Sequence, residues 1–293
     1  MLDSRPATET MLDVVSPYIV RQPGPAGCPT PVPRLTVWAS TTETRPVSAV
    51  FEPMFYAVLR GAKVLTMGAN RFELVAGACA VSSFGLPYTH QLIQATPKLP
   101  YVGISLDLDV GGLARVALDM PSRQDRWACA VAAGDLDGVV GEAFGRLVGL
   151  LNTPDDVTML APHYESELYY RLLKGPMGDT LRQIVQRDDR SRQIKTAADW
   201  LGANNSKSII ISELAASVGM SVTSFHRHFK AVTGYSPLAF QRQMRLLEAR
   251  KLLAAGGMTV ERVAYEVGYQ SPSQFSREYK SRFGNAPLAD LQR

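Results

Sequence analysis

Two arginines, Arg227 and Arg277, occupy corresponding places in a stretch that occurs twice near the end of the 293-residue chain. A guanidinium is a planar fork of donors that matches the two acceptors on a guanine's major-groove edge. His226 accompanies Arg227, and Ser273 and Ser276 accompany Arg277, polar groups able to reach base edges. Lys230, Lys280 and Arg245 stand where a cation would meet phosphate oxygens. These residues predict contact with double-stranded DNA, the two arginines being the leading candidates for direct base readout.

Such side chains read bases only from a rigid support, and the repeat supplies one. The first copy is ISELAASVGMSVTSFHRHFKAVTGYSP at 211–237 and the second VERVAYEVGYQSPSQFSREYKSRFGNAP at 260–287. Ala215, Val218, Gly219, Phe225, Phe229, Gly234 and Pro237 align with Ala264, Val267, Gly268, Phe275, Tyr279, Gly284 and Pro287. In each copy a short helix ends at a glycine suited to a left-handed turn. A capping serine, Ser221 or Ser271, then starts a second helix, whose two aromatics stand four apart and face the first helix. The alanine allows a close helix crossing, so each copy reads as a helix-turn-helix. Between them Ser236 and Pro237 start a helix that runs to about Ala255, where Gly256 and Gly257 stop it. Phe240, Met244, Leu247 and Leu252 form its expected buried stripe, with Arg242, Arg245, Arg250 and Lys251 solvated. At roughly 1.5 Å per residue it spans roughly 27 Å, so the two reading helices could sit roughly 34 Å apart, about one turn of duplex.

The stretches ELAASVGMSVTSFHRHFKAVTGYSPLAFQRQMRLLEARKLL at 213–253 and VAYEVGYQSPSQFSREYKSRFGNAP at 263–287 resemble the AraC/XylS-type bacterial transcription regulators. The resemblance covers 192–293 and implies base contacts by Thr223, His226, Arg227, Ser273, Ser276 and Arg277. Pro272 stands where other members often carry a polar base-contacting side chain. RNA polymerase is a partner implied by the resemblance alone.

Charge follows the same division. Residues 192–293 hold 14 basic and 7 acidic side chains, a net of +7, and the preceding 191 residues hold 17 and 20, a net of −3. A basic half beside an acidic half fits a phosphate-facing domain attached to another domain. A hydrophobic content of 46% and a charged content of 20% are those of a globular protein. No apolar run is long enough to span a bilayer, and the N-terminus lacks the basic-then-apolar order of a leader, so a cytoplasmic chain is expected. Cys28, Cys79 and Cys129 form no close pair, which points to neither a disulfide framework nor a zinc site.

Residues 1–33 read as an arm, helical or irregular and able to move, ending in the prolines of 23–33. Residues 34–186 read as a regulatory domain, and RDDRSR at 187–192 as the junction to the DNA-binding domain at 187–293. From Leu35 to Leu108 short β runs recur: LTVWAS, MFYAVLR, KVLTMG, RFELVAG, ACAVSSF, THQLIQAT and YVGISLDL. Val102, Ile104 and Leu106 alternate with Tyr101, Gly103 and Ser105. Seven or eight strands at this spacing predict a barrel or sandwich. With LAPHYESELYYRLLKGPMGDTLRQI, these runs resemble the N-terminal domain of one AraC-type subfamily. The resemblance implies a cupin-like β roll that binds a small effector, and an α+β multidomain chain overall.

Trp38, Tyr56, Tyr88, His90 and Tyr101, with Phe55 and Phe72, could line an apolar pocket or fill a barrel core. Cupin enzymes hold a metal with two or three histidines and a carboxylate. His90, His163, His226 and His228 are the only histidines, and the last two belong to a reading helix, so no metal, cofactor or enzymatic activity is expected. Helices are expected at 110–120 and 139–151, the latter with a seam of Val140, Phe144, Leu147 and Leu151 suited to pairing two chains or to packing on the roll, pairing being what the resemblance favours. A third carries Tyr164, Leu168 and Leu172 and stops at Gly175-Pro176, and Ile194, Ala197, Ala198 and Leu201 open the DNA-binding domain. The expected function is effector-controlled, dimeric DNA binding. The alternatives are a constitutive dimeric regulator and, less readily, a cupin-type enzyme with an accessory DNA-binding unit.

Overall fold

The structure is a computed structural model that describes residues 6–19, 26–121, 128–136, 138–185 and 189–291. The β runs form β1 (Ala26–Pro29), β2 (Leu35–Ser40), β3 (Val47–Phe51), β4 (Met54–Arg60), β5 (Ala62–Met67), β6 (Asn70–Val75), β7 (Ala78–Ser82), β8 (Leu86–Gln94), β9 (Tyr101–Asp107) and β10 (Val131–Asp135). They make a six-stranded sheet in the order β1-β2-β9-β4-β7-β10 and a four-stranded sheet in the order β3-β8-β5-β6, with every pairing antiparallel. The middle of the six-stranded sheet is buried on both faces, so β4 is buried without a break from Phe55 to Leu59 where a half-exposed strand would alternate. Phe55 and Ala57 of β4 and Val102, Ile104 and Leu106 of β9 face one hydrophobic core, while Tyr56, Val58 and Tyr101 face another. The alternation expected along β9 therefore separates two cores, not core from solvent.

The first core lies under helices α1 (Ala7–Val15), α2 (Val110–Leu118), α3 (Gly138–Gly149), α4 (Val157–Lys174) and α5 (Gly178–Val185). Two expectations change here. The arm is not loose over its described part, because Met11 and Val15 are buried, α1 packs on α3, and β1 adds an edge strand to the sheet. Residues 1–5 and 20–25 lie outside the described residues. The seam on α3 is no pairing surface either. Phe144 and Leu147 are fully buried, Leu151 is 7% exposed, and Val140 packs against the same cluster. The apolar stripe is consumed within the chain by α1, α4 and the sheet, with Phe144 meeting Phe55 edge-on at 4.9 Å. Glu165 of α4, 5% exposed, is bonded by Arg34 and Tyr169, which ties α4 to the start of β2.

The C-terminal part is helical: α6 (Asp189–Ala203), α7 (Ile211–Ser217), α8 (Val222–Thr233), α9 (Pro237–Ala255), α10 (Val260–Glu266), α11 (Pro272–Phe283) and α12 (Pro287–Leu291). Of the junction segment, residues 187 and 188 lie outside the described residues and the rest begins α6. Ile194, Ala197, Ala198 and Leu201 of α6 are buried as expected. Among the described residues no helix is long and apolar enough to cross a membrane.

Candidate nucleic-acid interface and enclosed cavity

The turn of each unit is set by local chemistry. Gly219 and Gly268 sit at φ +71° and +85°, where a side chain would be strained, and Met220 N–H and Tyr269 N–H close the turns onto the carbonyls of Ala215 and Ala264 at 2.9 Å. Ser221 and Ser271 cap α8 and α11, their hydroxyls accepting from Ser224 and Gln274 N–H. Ala215 and Ala264 are fully buried, and Phe225, Phe229, Phe275 and Tyr279 anchor the second helices inward. Tyr269, which spacing did not single out, adds a buried ring 5.3 Å from Phe275, and its hydroxyl donates to Glu278 at 2.7 Å.

With the aromatics inward, the opposite faces are left to solvent. Thr223, His226, Arg227 and Lys230 on α8 are exposed, as are Ser273, Arg277 and Lys280 on α11, and Ser276 is half-buried. Arg227 lies 3.3 Å from the His228 ring nitrogen.

Arg245 is different, and its assignment to phosphate is corrected. Its guanidinium donates to the carbonyls of Asn205, Ser206, Lys207 and Gly268. The carbonyls after the end of α6 lack helical partners, and Arg245 satisfies them. Gln241 Nε2 adds a bond to Lys207 O at 2.7 Å, and a Cβ on Gly268 would fall 2.1 Å from Ser206 O. The loop before the first unit, the linker helix α9 and the turn of the second unit are thereby locked together. The stripe on α9 is also broader than expected. Phe240 and Leu247 are buried and Met244 and Leu252 half-buried, but Leu246, Ala249 and Leu253 also turn inward, onto the second unit.

The other site lies between the two sheets, a cavity of about 160 Å³. All five expected residues, Trp38, Tyr56, Tyr88, His90 and Tyr101, line it; Phe55 and Phe72 do not. Phe55 falls on the other face of β4, in the first core. The polar groups are mostly paired with one another: Trp38 Nε1 donates to Ser105 Oγ at 2.8 Å, and the Tyr56 and Tyr101 hydroxyls lie 2.8 Å apart. Gly103 makes room for that pair, since a Cβ there would lie 2.4 Å from the Tyr56 hydroxyl. Burial pushes the Tyr88 phenol up to about 12 and holds those of Tyr56 and Tyr101 well above the usual tyrosine value.

Lys63 was missed from sequence. It is 8% exposed, lines the cavity, and holds its ammonium 4.0 Å from the centre of the Tyr56 ring. The legible signal was period two in β5, which puts Lys63 on the same face as Leu65 and Met67. Burial lowers its pKa to about 7, and burial together with the Lys63 charge lowers that of His90 to about 3, so the imidazole is neutral.

The cavity and the first unit share one hydrophobic cluster: Phe51, Tyr56, Leu65, Tyr88 and Tyr101 of the roll are continuous with Leu214, Phe225, Phe229, Val232 and Phe240. Beside Val131, which lines the cavity, Ala130 N–H donates to Val232 O at 2.9 Å. The β5–β6 turn meets the end of α8, where Ala69 N–H reaches Gly234 O at 3.4 Å. The second unit has its own core, built from Leu246, Leu253, Val263, Ala264, Phe275 and Tyr279. Cys79 is buried with its thiol pushed up to about 12, and Cys129 is half-buried with its pKa also raised, so neither is an activated thiol.

Comparison with known proteins agrees with this geometry. Residues 31–180 match the AraC-type transcriptional regulator N-terminus and residues 214–293 match a helix-turn-helix domain. The chain is 28% identical over 153 residues to the thermoregulatory protein LcrF of Yersinia pestis, covering 52% of this chain and 56% of that protein. It is 30% identical over 134 residues to the HTH-type transcriptional regulator ExsA of Pseudomonas aeruginosa, covering 46% and 48%. The chain thus spans about half the length of the curated relatives it matches. Among solved structures it is similar to wild-type ToxT of Vibrio cholerae with an unsaturated fatty acid bound, at TM-score 0.54 and 11% identity over 93% of this chain and 97% of that one, a likeness of fold.

Proposed function

Because this chain belongs to the AraC-type transcriptional regulators, we propose that it is a sequence-specific DNA-binding regulator controlled by a small molecule in its N-terminal roll. The observation that carries the reading is the continuity of one hydrophobic cluster from the cavity wall to the anchors of the first reading helix. An occupant that shifts Tyr56, Leu65 or Val131 also changes the packing around Phe225 and Phe229, and a ligand acts on DNA binding only through such a difference between states. ToxT, a protein of similar fold, has been solved with an unsaturated fatty acid bound, which is in keeping with ligand control of this chain.

In this reading Arg227 and Arg277, aided by Thr223, His226, Ser273 and Ser276, read bases from two successive major grooves, and Lys230 and Lys280 meet phosphates. Arg245 instead keeps the two units in register. Two chains bind paired half-sites through a surface other than the α3 seam, RNA polymerase is the downstream partner, and the protein works in the cytoplasm. No catalytic role is proposed, because His90, His163 and the pair on α8 lie on separate elements.

The test is selection of genomic fragments by the full chain at fixed salt, followed by footprinting. A protected site of about two helical turns per chain, altered when a cavity ligand is added, is expected. Enrichment of DNA that no cavity-binding molecule changes would leave the constitutive regulator as the better account. Loss of sequence preference altogether would refute the proposal.

A further inference from the structure

The cavity encloses one ammonium, that of Lys63, without a counter-charge. Among the described residues lining it there is no carboxylate, and the Lys63 ammonium forms no hydrogen bond or ion pair with a described residue, resting instead over the face of Tyr56. A cation over a ring recovers only part of what burial removes. The neighbouring polar groups are spoken for: Trp38 with Ser105, Tyr56 with Tyr101, and the Ser82 hydroxyl, which donates to Glu52 O. His90 differs: its Nδ1 is buried without a partner and its ring is near enough to feel the Lys63 charge. Register explains the proximity, since β5 pairs with β8 and sets Leu65 opposite His90 two residues from Lys63, with all three side chains lining the cavity. The remaining wall is apolar: Phe51, Leu65, Leu92 and Val131.

We propose that the cavity is a site for a small apolar monocarboxylate, its carboxylate held by the Lys63 ammonium and by His90, and its tail packed against Phe51, Leu65, Leu92 and Val131. This rests on the reading of the cavity as the effector site and gives that effector a chemical class. One ammonium beside a neutral imidazole balances a single negative charge, so a dianionic phosphate would leave charge uncompensated in an apolar enclosure. An amine would add a second cation beside Lys63. A volume of about 160 Å³ suits a ligand with a short tail.

The test is calorimetric titration of the full chain at pH 7 with hexanoate, its neutral isostere hexanamide, and hexylamine. Hexanoate is expected to bind about tenfold or more tightly than hexanamide, the scale of a hydrogen bond to a charged group. Hexylamine is expected not to bind. Lys63→Met keeps the stem and removes the charge, so the variant should fold and melt higher, bind hexanoate and hexanamide equally, and leave the hexanamide affinity unchanged. The proposal is overturned by equal binding of acid and amide to the native chain, by an acid preference that survives Lys63→Met, or by no binding across straight-chain acids from butanoate to octanoate. If hexanamide binds as well as the acid and still changes operator affinity, the cavity remains the effector site and only the anionic class falls. If nothing binds while operator affinity is intact, effector control falls with it.

Discussion

The two helix-turn-helix units are copies in sequence and differ in what they lean on. In the first, Phe225, Phe229, Val232 and Tyr235 share a core with Tyr56, Leu65, Tyr88 and Tyr101 of the roll. In the second, Val263, Ala264, Phe275 and Tyr279 close against Leu246, Ala249 and Leu253 of the linker helix alone. The same divergence shows at the glycines that end the reading helices. Gly234 and Gly284 have similar backbones, at φ +75° and +80°, but a Cβ on Gly234 would meet Met67 O of the roll at 2.5 Å, and one on Gly284 would meet nothing within 4 Å. Duplication supplied two units, and among the described residues the first shares its cluster with the cavity wall while the second has a cluster of its own. On the proposed function, regulation enters through the first unit, and the second is carried in register by α9 and the Arg245 lock.

The largest effects should come from the cores. Phe229→Ala opens a hole in the shared cluster and should destabilise by about 3–5 kcal/mol. In urea unfolding followed by hydrogen exchange, protection should fall in the roll and the first unit together. Tyr279→Ala should cost a similar amount and lower protection in the second unit only. If Phe229→Ala left the roll untouched, the two regions would not form one cooperative body. Next come the glycines. Gly284→Ala should cost about 1–2 kcal/mol from the left-handed backbone alone, whereas Gly234→Ala adds a clash with a backbone carbonyl and should cost more. Equal losses in thermal melts would mean the contact with Met67 carries no weight.

The roll and the first unit should also respond to pH in a way the second does not. Lys63 has a folded pKa near 7, below the usual lysine value of 10.5, so between these the unfolded chain binds more protons and stability rises with pH. From pH 7 to 9 the gain is about 2 kcal/mol. The ionisable groups facing Lys63 are Tyr56 on β4, Tyr88 and His90 on β8, and Tyr101 on β9. His90, neutral above about 3, takes no part in this window. The three tyrosines have raised pKa values, so they favour the folded state less as pH climbs past 10 and bring the rise to an end. Melting scans of native chain and Lys63→Met should differ most near pH 7 and converge toward pH 10. A constant offset would show that Lys63 does not titrate in this window.

What the sequence disclosed follows from the range over which each signal acts. Ser221, Ser236, Gly219 and Gly268 are caps and turns whose conformation is dictated within four residues, and all four behave as their types require. The five cavity residues were legible as a set of aromatics, although pocket and core could not be separated until the two sheets were placed face to face. The seam of Val140, Phe144, Leu147 and Leu151 was misassigned because periodicity shows that a face is buried and says nothing of whether the cover comes from the same chain. Arg245 differs from its expectation for a related reason: its donors go to carbonyls some 40 residues earlier in the chain and to Gly268 O, 23 residues later, contacts no local pattern records. β10 escaped notice because Ala132, Ala133 and Gly134 carry little strand propensity and pair only where β7 offers an edge.

Substitutions at the DNA face leave the fold alone and separate the two units most directly. Arg227→Ala and Arg277→Ala should each weaken binding to the selected operator by about 1–3 kcal/mol and relax base preference at one position. Neither arginine contributes to a core, so stability should hold. The distinction is in the ligand response. Loss of Arg277 should lower affinity with and without a cavity ligand by the same factor, because among the described residues the second unit's core is separate from the cluster that includes the roll. Loss of Arg227 should change that factor, because the unit presenting it is the one whose packing the ligand alters. A double-mutant cycle between Lys63→Met and each arginine variant measures this coupling. Coupling to Arg277 equal to that for Arg227 would mean the signal passes along α9 to both units, and the Arg245 lock would then be its route.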